Sequence, residues 1–327
     1  MDRVKFAIPK GHLTKATFQA LERAGYVISG GERSYRPTIN DPRIELKIIR
    51  PQEIPIFVQD GIHDMGITGS DWLRETRVDV ETLLDLEYSR VRIVACVPKP
   101  WADVDSLSDL LEKFSRERKV LRISTEYLNL TSEHLKRDPV YGRLYGDADP
   151  LLITPWWKRG ENEGVAVYLS FGATEAKPPE NADAIVDVIE TGTTVEQNNL
   201  KVIETVMESG AVLIANKRAL ESGEKREKIY DVLTLLRGVV DGRKKLHIFV
   251  NVSKGKIQEL LSSLPALKSP TIAQLSDKEW YSVNTVIEKD HFLEILPTLR
   301  RLAQGLVVYE PRQVLPLEEI NSGGGEA

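Results

Sequence analysis

The chain has little that would indicate a secreted, membrane-spanning or nucleic-acid-binding protein. It has one cysteine, Cys96, and only 7% aromatic residues among its 327 positions. One cysteine excludes an internal disulfide, and its apolar neighbours predict a buried structural thiol. No apolar run approaches the ~20 residues of a membrane span, and a net charge of −5 argues against a broad nucleic-acid surface. The first residues predict a strand without a signal region, so we expect a cytoplasmic protein with neither membrane nor nucleic-acid partners.

Several motifs of nucleotide and metal chemistry are also missing. The sequence has no Gly-x-x-x-x-Gly-Lys-Ser/Thr loop and no Gly-x-Gly-x-x-Gly turn, which disfavours phosphate-loop NTPases and Rossmann dehydrogenases. It has no His-Glu-x-x-His motif and no paired cysteines, so a zinc site is not expected. Of its scattered histidines only His12, in the first strand-to-helix turn, is well placed for a site.

The most informative segment that is present runs from residue 183 to residue 194. Residues 184–188 predict a short buried strand because Ile185, Val186 and Val188 are β-branched. Asp187 and Glu190 lie at its end, where they could hold ribose hydroxyls or a magnesium ion.

A small, hydroxyl-rich turn follows that strand. Gly192 permits tight backbone geometry, and residues 193–196 offer a capping box for a short helix. Free N–H groups and the hydroxyls of Thr191, Thr193 and Thr194 could cradle a phosphate. On this segment alone, a capped turn and a phosphate cradle are both open interpretations.

The first ~95 residues alternate strand and helix as in a parallel α/β sheet. Three strand-to-helix turns carry polar residues, namely Lys10-Gly11, Arg50 and Asp71. Such turns line the crevice where open parallel sheets bind ligands. The alternatives are solvated surface charges for Lys10 and Arg50, and a helix cap for Asp71.

The region that follows predicts a second sheet. The chain is expected to leave the first lobe near residue 95 and to return near residue 200, which gives a hinged cleft. Residues 202–207 and 211–216 predict an antiparallel pair around Gly210. Within the irregular stretch 137–164, Trp156 and Trp157 predict either a stacking surface for a base or a hydrophobic plug under a long loop.

The last ~100 residues predict a separate β-α-β-α-β unit of ferredoxin-like type. The predicted division is lobe I at 1–95 and 200–222, lobe II at 96–199, a C-terminal domain at 223–317 and a flexible tail at 318–327. The expected fold class is therefore α/β, with two lobes and a small additional domain.

These features together resemble one enzyme family. The resemblance is carried, in chain order, by residues 8–11, 50–55, 58–61, 64–71, 172–175, 182–187, 199–200 and 267–273. This set is similar to ATP phosphoribosyltransferase of histidine biosynthesis, in the long form that has a C-terminal regulatory domain.

The resemblance implies a fold and a reaction. The family has a two-lobed catalytic unit like the type II periplasmic binding proteins. It joins N1 of the adenine of ATP to C1 of phosphoribosyl pyrophosphate (PRPP) and releases pyrophosphate, with Mg²⁺ as cofactor. Its dimers assemble into hexamers, and histidine inhibits at the regulatory domains.

The resemblance also implies site residues. The PRPP site would comprise Asp187, Glu190, Thr191, Gly192, Thr193 and Thr194, with Asp187 or Glu190 as possible metal ligands. The nucleotide or pyrophosphate site would comprise Lys10, Gly11, Arg50, Asp71 and Glu175. The histidine site would comprise Asn251, Leu267, Ser269, Thr271 and Ala273.

Three features depart from the family pattern. His12 stands where arginine is usual, so one phosphate contact is expected to be weaker or pH-dependent. The stretch 138–164 is longer than usual. Asn251 replaces an acid that would pair with the histidine ammonium, so we expect weakened feedback inhibition.

Overall fold

The computed structural model describes residues 3–30, 34–190, 192–264, 270–315 and 317. The chain forms two compact units. One comprises the described residues of Met1–Val4, Lys15–Glu45 and Ser222–Ala327, and the other comprises those of Lys5–Thr14 and Leu46–Glu221. No described helix is both long enough and apolar enough to cross a membrane.

The described residues contain strands from near the N-terminus to residue 309. The strands are β1 (Val4–Pro9), β2 (Ile28–Ser29), β3 (Thr38–Ile39), β4 (Ile44–Ile49), β5 (Met65–Gly69), β6 (Glu81–Asp85), β7 (Val91–Pro98), β8 (Leu121–Thr125), β9 (Pro150–Ile153), β10 (Lys158–Arg159), β11 (Asn162–Leu169), β12 (Ala184–Ile189), β13 (Leu200–Ser209), β14 (Ala211–Ala215), β15 (Lys245–Ser253), β16 (Thr271–Gln274), β17 (Trp280–Glu288) and β18 (Ala303–Tyr309).

Helices connect most of these strands. The helices are α1 (Thr14–Arg23), α2 (Ile54–Gln59), α3 (Ser70–Thr76), α4 (Leu107–Glu117), α5 (Leu128–Arg137), α6 (Pro139–Tyr145), α7 (Thr193–Gln197), α8 (Lys217–Glu221), α9 (Gly223–Arg243), α10 (Ile257–Ser263) and α11 (Lys289–Leu302), with 3₁₀ turns at Thr174–Ala176 and Lys254–Lys256.

The first sheet has the strand order β4-β1-β5-β14-β6. β1 and β5 are parallel, whereas β14 runs antiparallel to β5 and β6. All five residues of β5 are buried, as expected for a strand covered on both faces. Gly66 is required there, because a Cβ at that position would clash with Cγ2 of Ile54 on α2.

The second sheet has the order β10-β9-β11-β8-β12-β7-β13. Its four central strands, β9, β11, β8 and β12, are parallel to one another. On one side, β7 runs antiparallel to β12, and β13 runs antiparallel to β7. Cys96 on β7 is buried as predicted, and burial together with the charge of Asp187 raises the pKa of its thiol to about 12.

The connections between the two sheets differ from the prediction. β13 and β14 do not form the predicted antiparallel pair, because β13 pairs with β7 while β14 pairs with β5 and β6. β7 and β13 lie in the second sheet along their whole length. The chain therefore changes sheet between Asp85 and Val91, and again at Gly210, rather than at residues 95 and 200.

The C-terminal sheet is antiparallel, with the order β16-β17-β15-β18. The element order β15-α10-β16-β17-α11-β18 confirms the predicted ferredoxin-like topology, and β16 is a strand that the prediction omitted. One face of the sheet buries Ile248, Val250, Val283 and Ile287 in a common core with residues of α10 and α11. In the same unit, Lys228 of α9 is buried between two carboxylates, at 2.8 Å from Asp41 and 2.8 Å from Asp231.

The fold class is thus the predicted one. Two α/β sheets are joined by two crossings, and the returning strand β14 is inserted between β5 and β6. This arrangement is the type II periplasmic-binding-protein-like fold, followed by a small ferredoxin-like domain.

Candidate active site

Polar residues collect where the parallel strands of both sheets end. In the first sheet, the N–H of Lys10 donates to the carbonyl of Ile49 over 2.8 Å, so the carboxyl ends of β1 and β4 lie side by side. The Thr68 hydroxyl, on β5, donates to the carbonyl of Pro51 over 2.8 Å and brings β5 to the same edge. In the second sheet, Glu126 directly follows β8 and Ser170 directly follows β11.

Three carboxylates interact at the edge of the second sheet. Asp187 is half-buried on β12, where burial raises its pKa to about 6. The N–H of Val188 donates to its Oδ1 over 2.7 Å and the Thr174 hydroxyl also contacts it, and both lower the pKa. The charges of Glu175 and Glu126 raise it further. Negative charge is therefore concentrated at this edge, where it favours hydroxyl donors and cations as ligands.

Glu126 connects the edges of the two sheets. Burial raises its pKa, while a hydrogen bond from Gln52 and the charges of Arg50 and Lys177 oppose the rise. Oε1 of Gln52 is buried and accepts no hydrogen bond within the described part of the chain. This orphaned acceptor is available to a donor on a ligand.

A lysine and a row of hydroxyls lie beneath the carboxylates. Lys177 donates to Oγ of Ser170 over 2.6 Å and to Oγ of Ser124 over 3.0 Å. The Ser170 and Thr174 hydroxyls are 3.0 Å apart. Because Thr174 contacts Asp187, the row links Lys177 to that carboxylate.

The sequence prediction missed Glu126, Lys177 and Gln52 as site residues. Glu126 could have been found by the rule that selected Lys10 and Arg50, since it is the first charged residue after a parallel strand. The positions of Lys177 and Gln52 depend on partners more than 50 residues away, and no local signal marks them.

The predicted basic residues lie at the edge of the first sheet. Lys10 and Arg50 are exposed, and Gly11 has a φ of +98° that a side chain would disfavour. The charge of Arg50 acts on Glu126, so Arg50 belongs to the same site as the acids.

The threonine turn differs in detail from its prediction. Thr191 lies outside the described residues. Gly192 is the N-cap of α7 with a φ of +83°, and no side chain caps that helix. The predicted capping box is therefore wrong, because Thr193 is already the first helical residue. Thr193 and Thr194 are exposed, as is Glu190.

Asp71 is held by protein groups from distant parts of the chain. Its carboxylate accepts hydrogen bonds from the Tyr127 hydroxyl at 2.8 Å and the Ser209 hydroxyl at 2.7 Å. Burial and the Asp71 charge raise the pKa of Tyr127. Asp71 is not the predicted helix cap, because Gly69 occupies the N-cap position and α3 has no side-chain cap. The nucleotide contact of Asp71 stays a prediction.

The structure describes three of the predicted histidine-site residues. Asn251 and Ala273 both lie opposite Ser282 in the C-terminal sheet, and Thr271 lies opposite Asn284. Paired residues project on one face, so these side chains share the face opposite the core. Leu267 and Ser269 lie outside the described residues.

Two further predictions concern a metal and the tryptophan pair. Among the described residues, no group of three or more His, Cys, Asp or Glu side chains is placed to hold a metal ion. Ligation by Asp187 or Glu190 stays a prediction. The hydrophobic plug is wrong, because Trp156 is 74% exposed and Trp157 is 39% exposed.

Comparison with known proteins gives a consistent result. The family model described as ATP phosphoribosyltransferase matches residues 50–238, and the model of the HisG C-terminal domain matches residues 242–312. An ATP phosphoribosyltransferase of Solibacter usitatus is 38% identical over 95% of this chain and 99% of its own length. That of Thermodesulfovibrio yellowstonii is 36% identical over 96% and 98%.

A solved structure supports the fold. A chain of the ATP phosphoribosyl transferase (HisG:HisZ) complex from Thermotoga maritima aligns with a TM-score of 0.54 at 24% identity. The alignment covers 73% of this chain and 98% of that chain. At this identity the likeness concerns the fold alone.

Proposed function

Since the chain belongs to the ATP phosphoribosyltransferase family, whose members are phosphoribosyltransferases of histidine biosynthesis, we propose that it catalyses the first step of that pathway. It transfers the phosphoribosyl group of PRPP to N1 of ATP. The bond from C1 to the pyrophosphate oxygen breaks while N1 supplies the electron pair of the new bond to C1. Because both substrates are phosphorylated metabolites of the cytoplasm, we expect the enzyme to act there.

The observation that carries this proposal is the arrangement around the end of β12. Asp187 lies among three interacting carboxylates, and the Gly192–Thr194 turn follows within a few residues. Arg50, from the other sheet, acts on Glu126, one of these carboxylates. One edge thus offers acids for ribose hydroxyls, and the other offers cations for phosphates.

Each part of PRPP has a suitable group in this arrangement. The exposed side chains of Thr193 and Thr194, and the backbone at the start of α7, suit the 5-phosphate. Ionised Asp187, with Glu190, accepts hydrogen bonds from the ribose hydroxyls. The same carboxylate stabilises the positive charge that develops on the ribose ring as pyrophosphate leaves.

The leaving pyrophosphate requires positive charge. Lys10 and Arg50 provide it from the first sheet, and Gly11 lets the backbone approach the ligand. Magnesium prefers oxygen ligands and retains substrate phosphates among them, so a dedicated protein cage is not required. No described group of three acids, histidines or cysteines is placed to hold an ion, so Asp187 or Glu190 would add single oxygen ligands to an ion that arrives with pyrophosphate. When bound, magnesium neutralises charge on the leaving group.

Adenine needs positioning rather than deprotonation, because N1 is neutral and nucleophilic. Oε1 of Gln52 is an orphaned acceptor beside Glu126, and it suits a donor such as the adenine amino group. Contacts of the nucleotide with Asp71 or Glu175 belong to this proposal. The buried Asp71 already accepts two hydroxyl hydrogen bonds, so Glu175 is the better candidate.

The C-terminal domain is proposed to be regulatory, with histidine as feedback inhibitor at Asn251, Leu267, Ser269, Thr271 and Ala273. The neutral Asn251 offers no charge to the histidine ammonium. We also propose assembly of dimers into hexamers, as the family resemblance implies.

The rival function is a two-lobed binder without catalytic activity, since the fold also suits ligand binding alone. The test mixes protein, ATP, PRPP and Mg²⁺ with pyrophosphatase and follows the ultraviolet absorbance of phosphoribosyl-ATP. Pyrophosphatase is needed because it removes a product and draws the equilibrium forward. Absorbance that rises with protein concentration supports the enzyme, and its absence favours the binder.

A further inference from the structure

A second polar cavity lies away from the candidate active site. It has a volume of about 600 Å³ and is lined by Arg77, which directly follows α3, and by parts of α5, β9 and β10. Asp149 and Pro150 in its wall lie at the amino end of β9. The candidate site lies at the carboxyl ends of the parallel strands, so the cavity opens at the opposite end of the sheet.

The wall of this cavity has an excess of positive charge. Four cations line it, Arg77, Lys136, Arg137 and Arg159, against two carboxylates, Glu133 and Asp149. The two carboxylates therefore cannot neutralise all four cations, and the cavity wall keeps a formal excess of two positive charges.

Glu133 is shared among more arginines than it can neutralise. Arg77 lies 2.8 Å from its Oε1, and Arg137 lies 3.7 Å from its Oε2. Arg74, outside the cavity wall, is a third neighbour at 3.8 Å. Two of the three guanidinium charges around this carboxylate therefore lack compensation from it.

Arg159 is a cation without a carboxylate partner. Its guanidinium lies over the ring of Trp157, 5.1 Å from the centroid, and it forms no ion pair within the described ranges. Lys136, in contrast, pairs with Asp149 at 2.6 Å. Planar guanidinium groups suit phosphate oxygens because each can donate two parallel hydrogen bonds.

We propose that this cavity is a second anion site, which binds a polyphosphate of metabolite size. Phosphate groups would lie between Arg77 and Arg137 on one side and Arg159 on the other. Arg77 ends the helix that follows β5 of the first sheet, whereas Arg137 and Arg159 belong to elements of the second sheet. A bound anion therefore bridges the two sheets of this unit. The proposal does not depend on the reaction assigned to the chain.

The test is isothermal titration of the full chain with inorganic triphosphate, with ATP as a parallel ligand. The pocket variant is Arg137→Gln/Arg159→Gln, and the matched control is Arg116→Gln/Arg218→Gln, which removes the same charge from exposed positions. Because each charge-assisted contact is worth about tenfold or more in affinity, the pocket variant should lose one of two binding events or weaken it at least tenfold. The control should retain both events.

The candidate active site also attracts anions, so Arg50→Gln is titrated in parallel and should retain the pocket event. Binding that the pocket variant leaves unchanged would overturn the proposal, as would loss of all binding in Arg50→Gln. If the double variant fails to fold, the single Arg159→Gln variant, which breaks no ion pair, replaces it. Equal pocket affinity for triphosphate and ATP identifies polyphosphate as the ligand, and tighter ATP binding identifies a nucleotide.

Discussion

Asp187 is the residue whose ionisation most directly controls the proposed chemistry. Burial destabilises its charged form, so the folded pKa of about 6 lies above the usual value of 3.8. The carboxylate is ionised above this pKa and protonated below it. A protonated Asp187 neither accepts both ribose hydrogen bonds nor stabilises positive charge on the ribose.

The kcat/KM for PRPP should therefore fall as the pH decreases through about 6. Asp187→Asn, which mimics the protonated form in shape, should lower kcat/KM about 100-fold at neutral pH and remove this limb of the profile. The measurement is a pH–rate profile of both proteins. A wild-type profile that stays flat through pH 6 would show that Asp187 does not act in this way.

Ionisation of Asp187 also destabilises the folded state, whereas ionisation of a carboxylate in an ion pair usually stabilises it. Because its folded pKa lies above the unfolded one, the folded state binds the proton more tightly, and its stability decreases as the pH rises towards about 6. Asp187→Asn should therefore raise the Tm at pH 7.5 although it impairs activity. A lower Tm in thermal denaturation would contradict the stated cause of the pKa shift.

At the scale of elements, α3 and α5 hold the two sheets together near the candidate site. Trp72 of α3 stacks on Tyr127 with ring centroids 4.7 Å apart. Glu75 accepts the N–H groups of Asn129 and Leu130, at 3.0 and 2.9 Å, at the start of α5. Burial raises the pKa of Glu75 to about 7 despite these donors.

Tyr127→Phe tests this junction. It removes the hydroxyl that donates to buried Asp71 and leaves one carboxylate oxygen without that partner. The free energy of unfolding should fall by about 1–3 kcal/mol. Tyr309→Phe is the matched control, because Tyr309 is 58% exposed and should change stability little. Urea denaturation of both variants measures the difference. Equal losses of stability in the two variants would show that the hydrogen bond to Asp71 is not the cause.

Local pattern predicted most elements but not all of their partners. β-branched runs and polar turns located β1, β5, β8 and β12, because burial on both faces demands apolar strands. The segment around Gly210 has the local pattern of a hairpin, yet its two strands pair with residues over 100 positions away. Pairing of that kind is decided by tertiary packing, which local propensity does not contain.

The candidate site was predictable to a similar extent. The sequence was sufficient to select residues that directly follow a parallel strand. Examples are Lys10, Arg50 and Glu190. The two partners of Asp71 could not be selected, because Tyr127 and Ser209 lie 56 and 138 residues away. Exposure of Trp156 was likewise undetectable, since aromatic residues occur both in cores and on surfaces.

At the scale of the whole molecule, the C-terminal domain is proposed to be regulatory, and its sensitivity to histidine is expected to depend on Asn251. An asparagine cannot form the ion pair that an acid would offer to a histidine ammonium. Histidine should therefore inhibit weakly, and Asn251→Asp should lower the inhibitory concentration by about tenfold. Turnover measured against histidine checks this, and inhibition of the wild type at low micromolar histidine would contradict it.

The central claim is that the segment after β12 recognises PRPP. Thr194→Val keeps the side-chain shape and removes a hydroxyl, and the control Thr82→Val makes the same change at an exposed position on β6. The decisive measurement is the Michaelis constant for each substrate in these two variants and the wild type. Loss of one hydrogen bond to a charged phosphate should raise the constant for PRPP about 10- to 100-fold in Thr194→Val, leave that for ATP nearly unchanged, and spare the control. Equal changes for PRPP and ATP, or none, would contradict the claim.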